Sequence, residues 1–558
     1  MQRAATEPAP VAPALDTPLQ RRADVYLANV PLARRIAGHA LLLGVAGDVL
    51  LRDLPVGLAF PIWIALLVLA MIAAAWSDGR HISREAASWL ATSIFFAAGL
   101  AWRDSGTLQF LDLVATVGSL AMAAIALSDV RAALLAARFR DTVWAATSVV
   151  RSVVAGFLPI AVRELFANES RTVTVSRVRP VIRAVLIAGV LLFVFGTLLR
   201  DADPIFASLV TLPMPDFGTM FSHVFVIGAF TWMTSGWVRG ALLVDVGKRR
   251  APESLPFGLS LLDITTALTT LNVLFAAFVL AQLGWFFGGE AFLHARTGLT
   301  ASAYARQGFF EMLWVALLVV PLLVATRAAL RPGQALERRH TVLSVPVIAL
   351  LGAILLSAGL RMKLYVHYFG LTTDRLYPLV FMGWLGVVLV WLALTVLRGR
   401  GRTFIAGVAV SGLAVLVALN VAVPDAFVAR YNLARATSAG RDVQTVLDVS
   451  SLAKLSGEAA SLAVQATVGA SNGTQGGVAH ADVTTQQCDA ARTLLRRWGP
   501  VSLAAKRAYF ESAWRFWNAG EVQALRAVGA RSAELRGVMH RACSKFEPEP
   551  PEGADTDQ

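Results

Sequence analysis

Between Leu376 and Leu397 the chain reads LYPLVFMGWLGVVLVWLALTVL, an apolar run without a single charge. A helix rises about 1.5 Å per residue, so about 20 residues cross a hydrocarbon core roughly 30 Å thick. This run has that length. Inside lipid every backbone amide and carbonyl must be bonded within the structure, which makes such a run a helix. A membrane barrel strand would be shorter and would alternate apolar with polar residues, and no such pattern is seen here.

On either side of this run, uncharged stretches recur at 56–76, 264–289, 341–360 and 403–424. Hydrophobic residues make up 56% of the 558-residue chain and charged residues only 16%, well below the roughly 25% of soluble domains. The sequence predicts an all-α, polytopic membrane protein with about eleven spans. They fall at 36–51, 56–76, 86–102, 108–127, 181–199, 217–238, 264–287, 309–326, 341–360, 376–397 and 403–423. The segment 143–162 is apolar enough to be a twelfth. Arg151 near its middle would cost about 2.5–3.5 kcal/mol at the bilayer centre, so a cytoplasmic, interfacial helix is the preferred reading.

The formal charge is +13. From Pro424 onward there are 15 Lys and Arg against 14 Asp and Glu, a difference of 1, so 12 of the 13 excess positives belong to the membrane portion. They sit mostly in short loops, as the positive-inside rule requires, and call for no nucleic acid. One set of alternate loops carries Arg239, Lys248, Arg249, Arg250, Arg327, Arg331, Arg338, Arg339, Arg398, Arg400 and Arg402, against six Lys or Arg in the opposite set. The richer set is expected in the cytoplasm. With eleven spans in an inner (cytoplasmic) membrane, the N-terminus lies inside and the C-terminal region lies outside, periplasmic or extracellular.

The expected organisation has six parts. Residues 1–35 form a disordered, basic cytoplasmic start, and 36–127 hold the first spans. Residues 128–180 form a basic cytoplasmic or interfacial segment suited to anionic lipid headgroups. The main membrane domain is 181–424, a small soluble helical domain is 425–546, and 547–558 is an acidic, disordered tail. In the helical domain Phe510, Trp514 and Trp517 share one helix face at i, i+4 and i+7. The chain's two cysteines, Cys488 and Cys543, both fall there. In an oxidising compartment they form a candidate disulfide.

From about residue 181 to 435 the chain resembles a bacterial family of multi-pass membrane proteins, domain of unknown function number forty-one seventy-three. The resemblance rests on Ala202-Asp203-Pro204-x-Phe206 and Leu271-Asn272-x-Leu274-Phe275-x-Ala277-Phe278. It rests also on Tyr304-Ala305-Arg306-Gln307-Gly308-Phe309-Phe310-Glu311, and on Arg361-Met362-x-Leu364-Tyr365 with Tyr368, Gly370, Leu371 and Thr372. Asn420 and Pro424-Asp425-Ala426 leading into Arg430-Tyr431-Asn432 complete it. It implies a membrane protein and no particular activity.

No phosphate-cradling loop, His-Glu-x-x-His, Cys-x-x-Cys or Gly-x-Ser-x-Gly is found, so no metal or cofactor is expected. Chemistry-bearing residues instead gather at expected outer helix ends. They are Asp201, Asp203, Tyr304, Arg306, Glu311, Arg361, Lys363, Tyr365, Asp374, Arg375, Arg430 and Asn432. Arg presents a planar fork that suits carboxylate or phosphate, which makes these residues a candidate ligand site. The plainer account is interfacial anchoring by Tyr and Arg. Asp263, Thr266 and Thr270 form a polar stripe for which helix–helix bonding is the default and a coupling-ion path the sharper reading. Asp48, Asp112 and His223 read as lone polar residues in apolar spans.

Three functions stay open. The first is a non-catalytic, envelope-facing sensing or assembly module. The second is a secondary transporter, for which Pro204, Pro213 and Pro215 mark a stretch that could be re-entrant. The third is an enzyme on a lipid-linked substrate at the outer leaflet, with Asp201, Asp203 or Glu311 as base and Arg306, Arg361 or Lys363 holding a phosphate.

Overall fold

A computed structural model gives the fold. It describes residues 18–52, 57–127, 147, 150–156, 184, 188, 217–243, 260–297, 309–330, 334–399, 403–438, 447–469, 480–500 and 513–544. Every regular element among them is a helix. In chain order these are α1 (Pro18–Leu51), α2 (Ala59–Ser77), α3 (Arg84–Trp102), α4 (Gly106–Leu127), α5 (Phe217–Leu242) and α6 (Leu261–Thr297). Then come α7 (Phe309–Ala328), α8 (Gln334–Phe369), α9 (Thr373–Thr395), α10 (Phe404–Ala422) and α11 (Pro424–Ser438). The C-terminal helices are α12 (Val449–Ala453), α13 (Ala460–Gly469), α14 (His480–Trp498), α15 (Ala519–Ala530) and α16 (Ser532–Cys543).

Among the described residues seven helices are long and apolar enough to cross a membrane: α2, α4 and α6 to α10. Helices α1, α3 and α5 coincide with three more of the expected spans. The eleventh, 181–199, lies outside the described residues but for two positions. Large apolar side chains cover the outward faces of the spans. Leu69 is 60% exposed, Leu318 65% and Leu356 66%. Contiguous apolar surface on this scale needs a nonaqueous neighbour, and a bilayer supplies it. The chain is an all-helical polytopic membrane protein.

The chain divides into two units. One comprises Met1–Arg52, Leu66–Ile82 and Ser148–Val244. Within it α1 packs along α5, and a short helix at 150–155 approaches α5 closely. A Cβ on Gly236 would lie 2.5 Å from the Ser152 carbonyl oxygen, and one on Gly240 would lie 2.8 Å from the Ser152 Cβ. The glycine pair four residues apart thus provides the flat face against which 152–153 rests. Trp232 Nε1 donates to the Val154 carbonyl at 2.9 Å. Arg151 is exposed. The remainder of 143–162, and the basic segment around it, falls outside the described residues apart from single positions.

The second unit comprises Asp53–Ala65, Ser83–Thr147 and Asp245–Gln558. Its membrane core is built from α6 to α10, with Leu268, Leu323, Leu351, Ile354 and Leu392 buried together. Phe96 and Leu108 join Leu416 and Leu419 in a smaller cluster of α3, α4 and α10. Helices α12 to α16 share a separate core, centred on Val464, Leu494, Val528 and Leu535, to which α11 contributes Ala429. Cys488 of α14 and Cys543 of α16 are joined by a disulfide, their Cα atoms 5.2 Å apart.

Helix α10 passes into α11 through one residue. Val423 adopts φ 52° and ψ 78°, a left-handed conformation that a β-branched side chain rarely takes. It stands before Pro424, whose ring disfavours right-handed helical geometry at the preceding position. The chain therefore stops one helix and opens the next without a loop, and this places Asn420 and Asp425 on either side of the corner.

Candidate functional site

Among the described residues, two polar sites occur at the ends of the second unit's helices. The first is a junction between the three-residue α3–α4 connection, Arg103-Asp104-Ser105, and the C-terminal helices. The backbone N–H of Asp104 donates to Glu458 Oε1 at 2.8 Å. The N–H of Gly457 donates to Asp104 Oδ2 at 2.7 Å. Ser456 Oγ donates to Glu458 Oε2 at 2.6 Å, and its N–H lies 3.4 Å from Asp425 Oδ1. Asn518 Nδ2 donates to the carbonyls of Leu100, at 3.0 Å, and Arg103, at 2.7 Å. Its Oδ1 accepts the Glu521 N–H at 3.1 Å and so caps α15. Arg103 donates to the Asn420 carbonyl. Asn420 Nδ2 donates to Asp112 Oδ1 at 2.8 Å. Gly520 makes the approach feasible: a Cβ there would stand 2.9 Å from both Asp104 Cβ and Glu458 Oε1.

Asp425, Glu458 and Asn518 are buried. Buried polar groups require partners, and most atoms here have them. Two carboxylate oxygens, Asp425 Oδ2 and Asp112 Oδ2, are enclosed without a bond. Burial pushes the Asp104 carboxyl up to about 6. The charges of Glu458 and Glu521 push the same way, against the Gly457 N–H bond and the Arg497 charge.

The second site is a cavity of about 510 Å³ bounded by the α8–α9 turn, α11 and the start of α12. Gly370 turns the chain at φ +75°. A side chain there would meet Asn432 Oδ1 at 2.8 Å and Arg435 Nη1 at 3.1 Å. Asn432 clasps the next residue at both ends, accepting the Leu371 N–H at 2.9 Å and donating to its carbonyl at 2.7 Å. Arg375 donates to the carbonyls of Phe369 and Gly370. Its guanidinium lies 4.3 Å from the centre of the Tyr365 ring, in cation–π geometry. Asp448 caps α12 through Ser451 N–H at 3.0 Å and holds the hydroxyls of Ser450 and Ser451. Burial raises its carboxyl, but the Ser451 and Ser450 bonds and the Lys454 charge outweigh burial and hold it below its ordinary value.

Of the twelve outer-face candidates, Asp374, Arg375 and Asn432 line this cavity, and Tyr365 packs on Arg375. Glu311, Arg361, Lys363 and Arg430 do not line it. Glu311 and Lys363 are exposed, Arg361 is buried on α8, and Arg430 Nε turns back to the Ala426 carbonyl at 3.2 Å. Asp201, Asp203, Tyr304 and Arg306 lie outside the described residues, as do Pro204, Pro213 and Pro215. Among the described residues no group of three or more His, Cys, Asp or Glu is arranged to hold a metal ion.

The polar residues that look solitary in the sequence have partners. Asp48 of α1 binds His223 Nδ1 of α5 at 2.5 Å and Arg52 at 2.6 Å. Arg52 also donates to Ser222 Oγ at 2.9 Å. Asp263 accepts from the N–H and hydroxyl of Ser260, a local cap. Asn272 donates across to the Leu343 carbonyl of α8 at 2.9 Å, the helix–helix bonding expected of such residues. The junction residues Asp104, Glu458 and Asn518 are absent from the sequence-derived candidates. Asn518-x-x-Glu521 carries a capping signal. Nothing local marks Glu458.

The family described as Domain of unknown function (DUF4153) matches residues 90–465. Its number differs from the one expected, forty-one seventy-three. Short motifs of aromatic, charged and apolar residues report a multi-pass architecture better than they separate one such family from another. The matched region starts before the expected 181 and runs past the expected 435 through α12 and most of α13, so it holds both the α3–α4 connection and Glu458. No curated protein and no solved structure matches the chain. With well over half its length matched, the chain belongs to the family of Domain of unknown function DUF4153 proteins.

Proposed function

We propose that the protein is a non-catalytic, envelope-facing sensing or assembly module of the cytoplasmic membrane, with its N-terminus inside and its C-terminal helices outside. The observation that carries this reading is the Asp104–Gly457–Glu458–Asn518 junction. Bonds from two separated C-terminal segments hold the connection between α3 and α4. An event at the C-terminal helices is thereby coupled to the ends of these helices through short, largely part-buried hydrogen bonds. The Cys488–Cys543 disulfide suits an oxidising compartment, and the loop charges favour the same orientation. The bilayer is the first partner, with anionic headgroups proposed for the basic segment 128–180.

The test has two arms. Alkaline phosphatase fused after Ser544 is expected to be active, since it folds only after export. A photo-crosslinking residue at exposed Arg536 or Arg541 is expected to give a discrete protein adduct in intact cells. An inactive phosphatase fusion with an active cytoplasmic reporter at the same site overturns the orientation. Absence of any adduct, together with solute uptake by reconstituted proteoliposomes, overturns the module in favour of transport.

A further inference from the structure

We infer that the cavity between the α8–α9 turn, α11 and α12 is a binding site for a phosphate-bearing molecule with an apolar portion. Three cations line it from three elements: Arg375 of α9, Arg435 of α11 and Lys454 after α12. Both guanidinium groups reach Gly370. Arg375 donates to the Gly370 carbonyl, and Arg435 Nη1 lies 3.1 Å from where a Gly370 Cβ would stand. Guanidinium forks suit a tetrahedral oxyanion, and an ammonium adds a point charge.

Two carboxylates share the lining, Asp374 and Asp448. Asp448 is engaged by Ser450 and Ser451 on both oxygens. Asp374 is exposed in the first turn of α9. The lining keeps one net positive charge. At about 510 Å³ the cavity is far larger than a phosphate ion. Val428, Leu452 and Leu455 supply the apolar wall for the rest of the ligand.

The site is built before any ligand arrives. Asn432 grips Leu371 at two points, and Arg375 is stacked on Tyr365. Such preorganisation lowers the cost of ordering on binding. The phosphate reaches the cavity either as a lipid headgroup or as part of a soluble molecule, and the test separates the two.

The full chain is reconstituted in nanodiscs of phosphatidylcholine alone, and in nanodiscs containing phosphatidylglycerol. Inorganic phosphate binding is measured by calorimetry in the first, and lipid retention by native mass spectrometry after release from the second. Lys454→Gln removes an exposed charge, and Arg435→Gln removes a guanidinium. Arg435→Lys keeps the charge and guards against a folding artefact. Phosphate binding weakened about tenfold or more by Lys454→Gln and Arg435→Gln, and partly restored by Arg435→Lys, supports the site with a soluble ligand. Retained phosphatidylglycerol lost in the same variants supports it with a lipid headgroup. If Lys454→Gln matches the unmodified protein in both arms, with the same thermal unfolding, the proposal is overturned. Neither arm depends on the orientation or the protein partner proposed above, so their failures are distinguishable.

Discussion

The Glu458 carboxylate accepts the Asp104 backbone N–H at 2.8 Å across 354 positions of sequence. Gly457 returns a bond to the Asp104 carboxylate at 2.7 Å. Each acid therefore secures the other's strand of backbone, and the two carboxyl groups are held close in a part-buried place. Glu521 and Arg497 also act on Asp104, while Asp425 lies on the Ser456 side of the same junction.

This arrangement predicts a pH dependence with a definite sign. Asp104 is raised from 3.8 to about 6 in the folded protein. The folded state holds its proton more tightly than the unfolded state. Its contribution is complete below the ordinary carboxylate range and is lost as pH rises through about 6. Acidification from about pH 8 to about pH 5 is expected to tighten the junction by on the order of 1 kcal/mol. Hydrogen exchange at 100–106 and 456–459 should slow beyond the intrinsic pH effect. Asp104→Asn keeps an acceptor for Gly457 and should remove most of this dependence. An unchanged pH profile in that variant would falsify the assignment.

Asn518 is 3% exposed and joins three backbone groups. Its removal leaves buried carbonyls without their donor and α15 without its cap. Asn518→Ala is expected to cost about 2–4 kcal/mol. Asn518→Asp should be worse, because it sets a carboxylate against two carbonyl oxygens. Thermal unfolding and protease susceptibility of the C-terminal helices report both, and equal stability of the two variants would contradict the bonding described.

At Val423 the left-handed backbone costs about 1–3 kcal/mol for a non-Gly residue. Glycine takes this conformation freely but costs about 0.5–1 kcal/mol in unfolded-state entropy. Val423→Gly is therefore expected to be neutral or stabilising by up to about 2 kcal/mol, whereas Val423→Ala, which keeps the Cβ, should give no gain. A destabilisation of Val423→Gly in thermal unfolding would mean that packing of the valine outweighs the strain.

Reduction of Cys488–Cys543 opens a loop of sequence separation 55. Loop closure of this length is worth about 4 kcal/mol on the chain-entropy model. The loss should appear in the α12–α16 core, as a lower-temperature unfolding step when reductant is present. Both thiols should resist alkylation until the protein is reduced or unfolded. Ready alkylation of unreduced, folded protein would show that the bond does not form.

Residue order alone sets the solvent of this protein and the class of its elements. Uncharged runs such as 376–397 fix a membrane helix because lipid cannot bond an open backbone, and that demand is satisfied within the run. Arg375 and Asn432 were also legible as candidate residues, since charged and amide groups at helix ends are conspicuous against apolar spans. Partnership between distant polar residues is set only when the helices pack. Asp48 and His223 look solitary until α1 meets α5. Asp104 looks like an ordinary loop acid, and Glu458 carries no local signal, until their helix ends are set against each other. The reason is physical. Helix formation is settled by contacts a few residues apart, whereas the bond between Asp104 and Glu458 depends on the burial and approach of segments 354 positions apart, permitted by the bare Cα of Gly520.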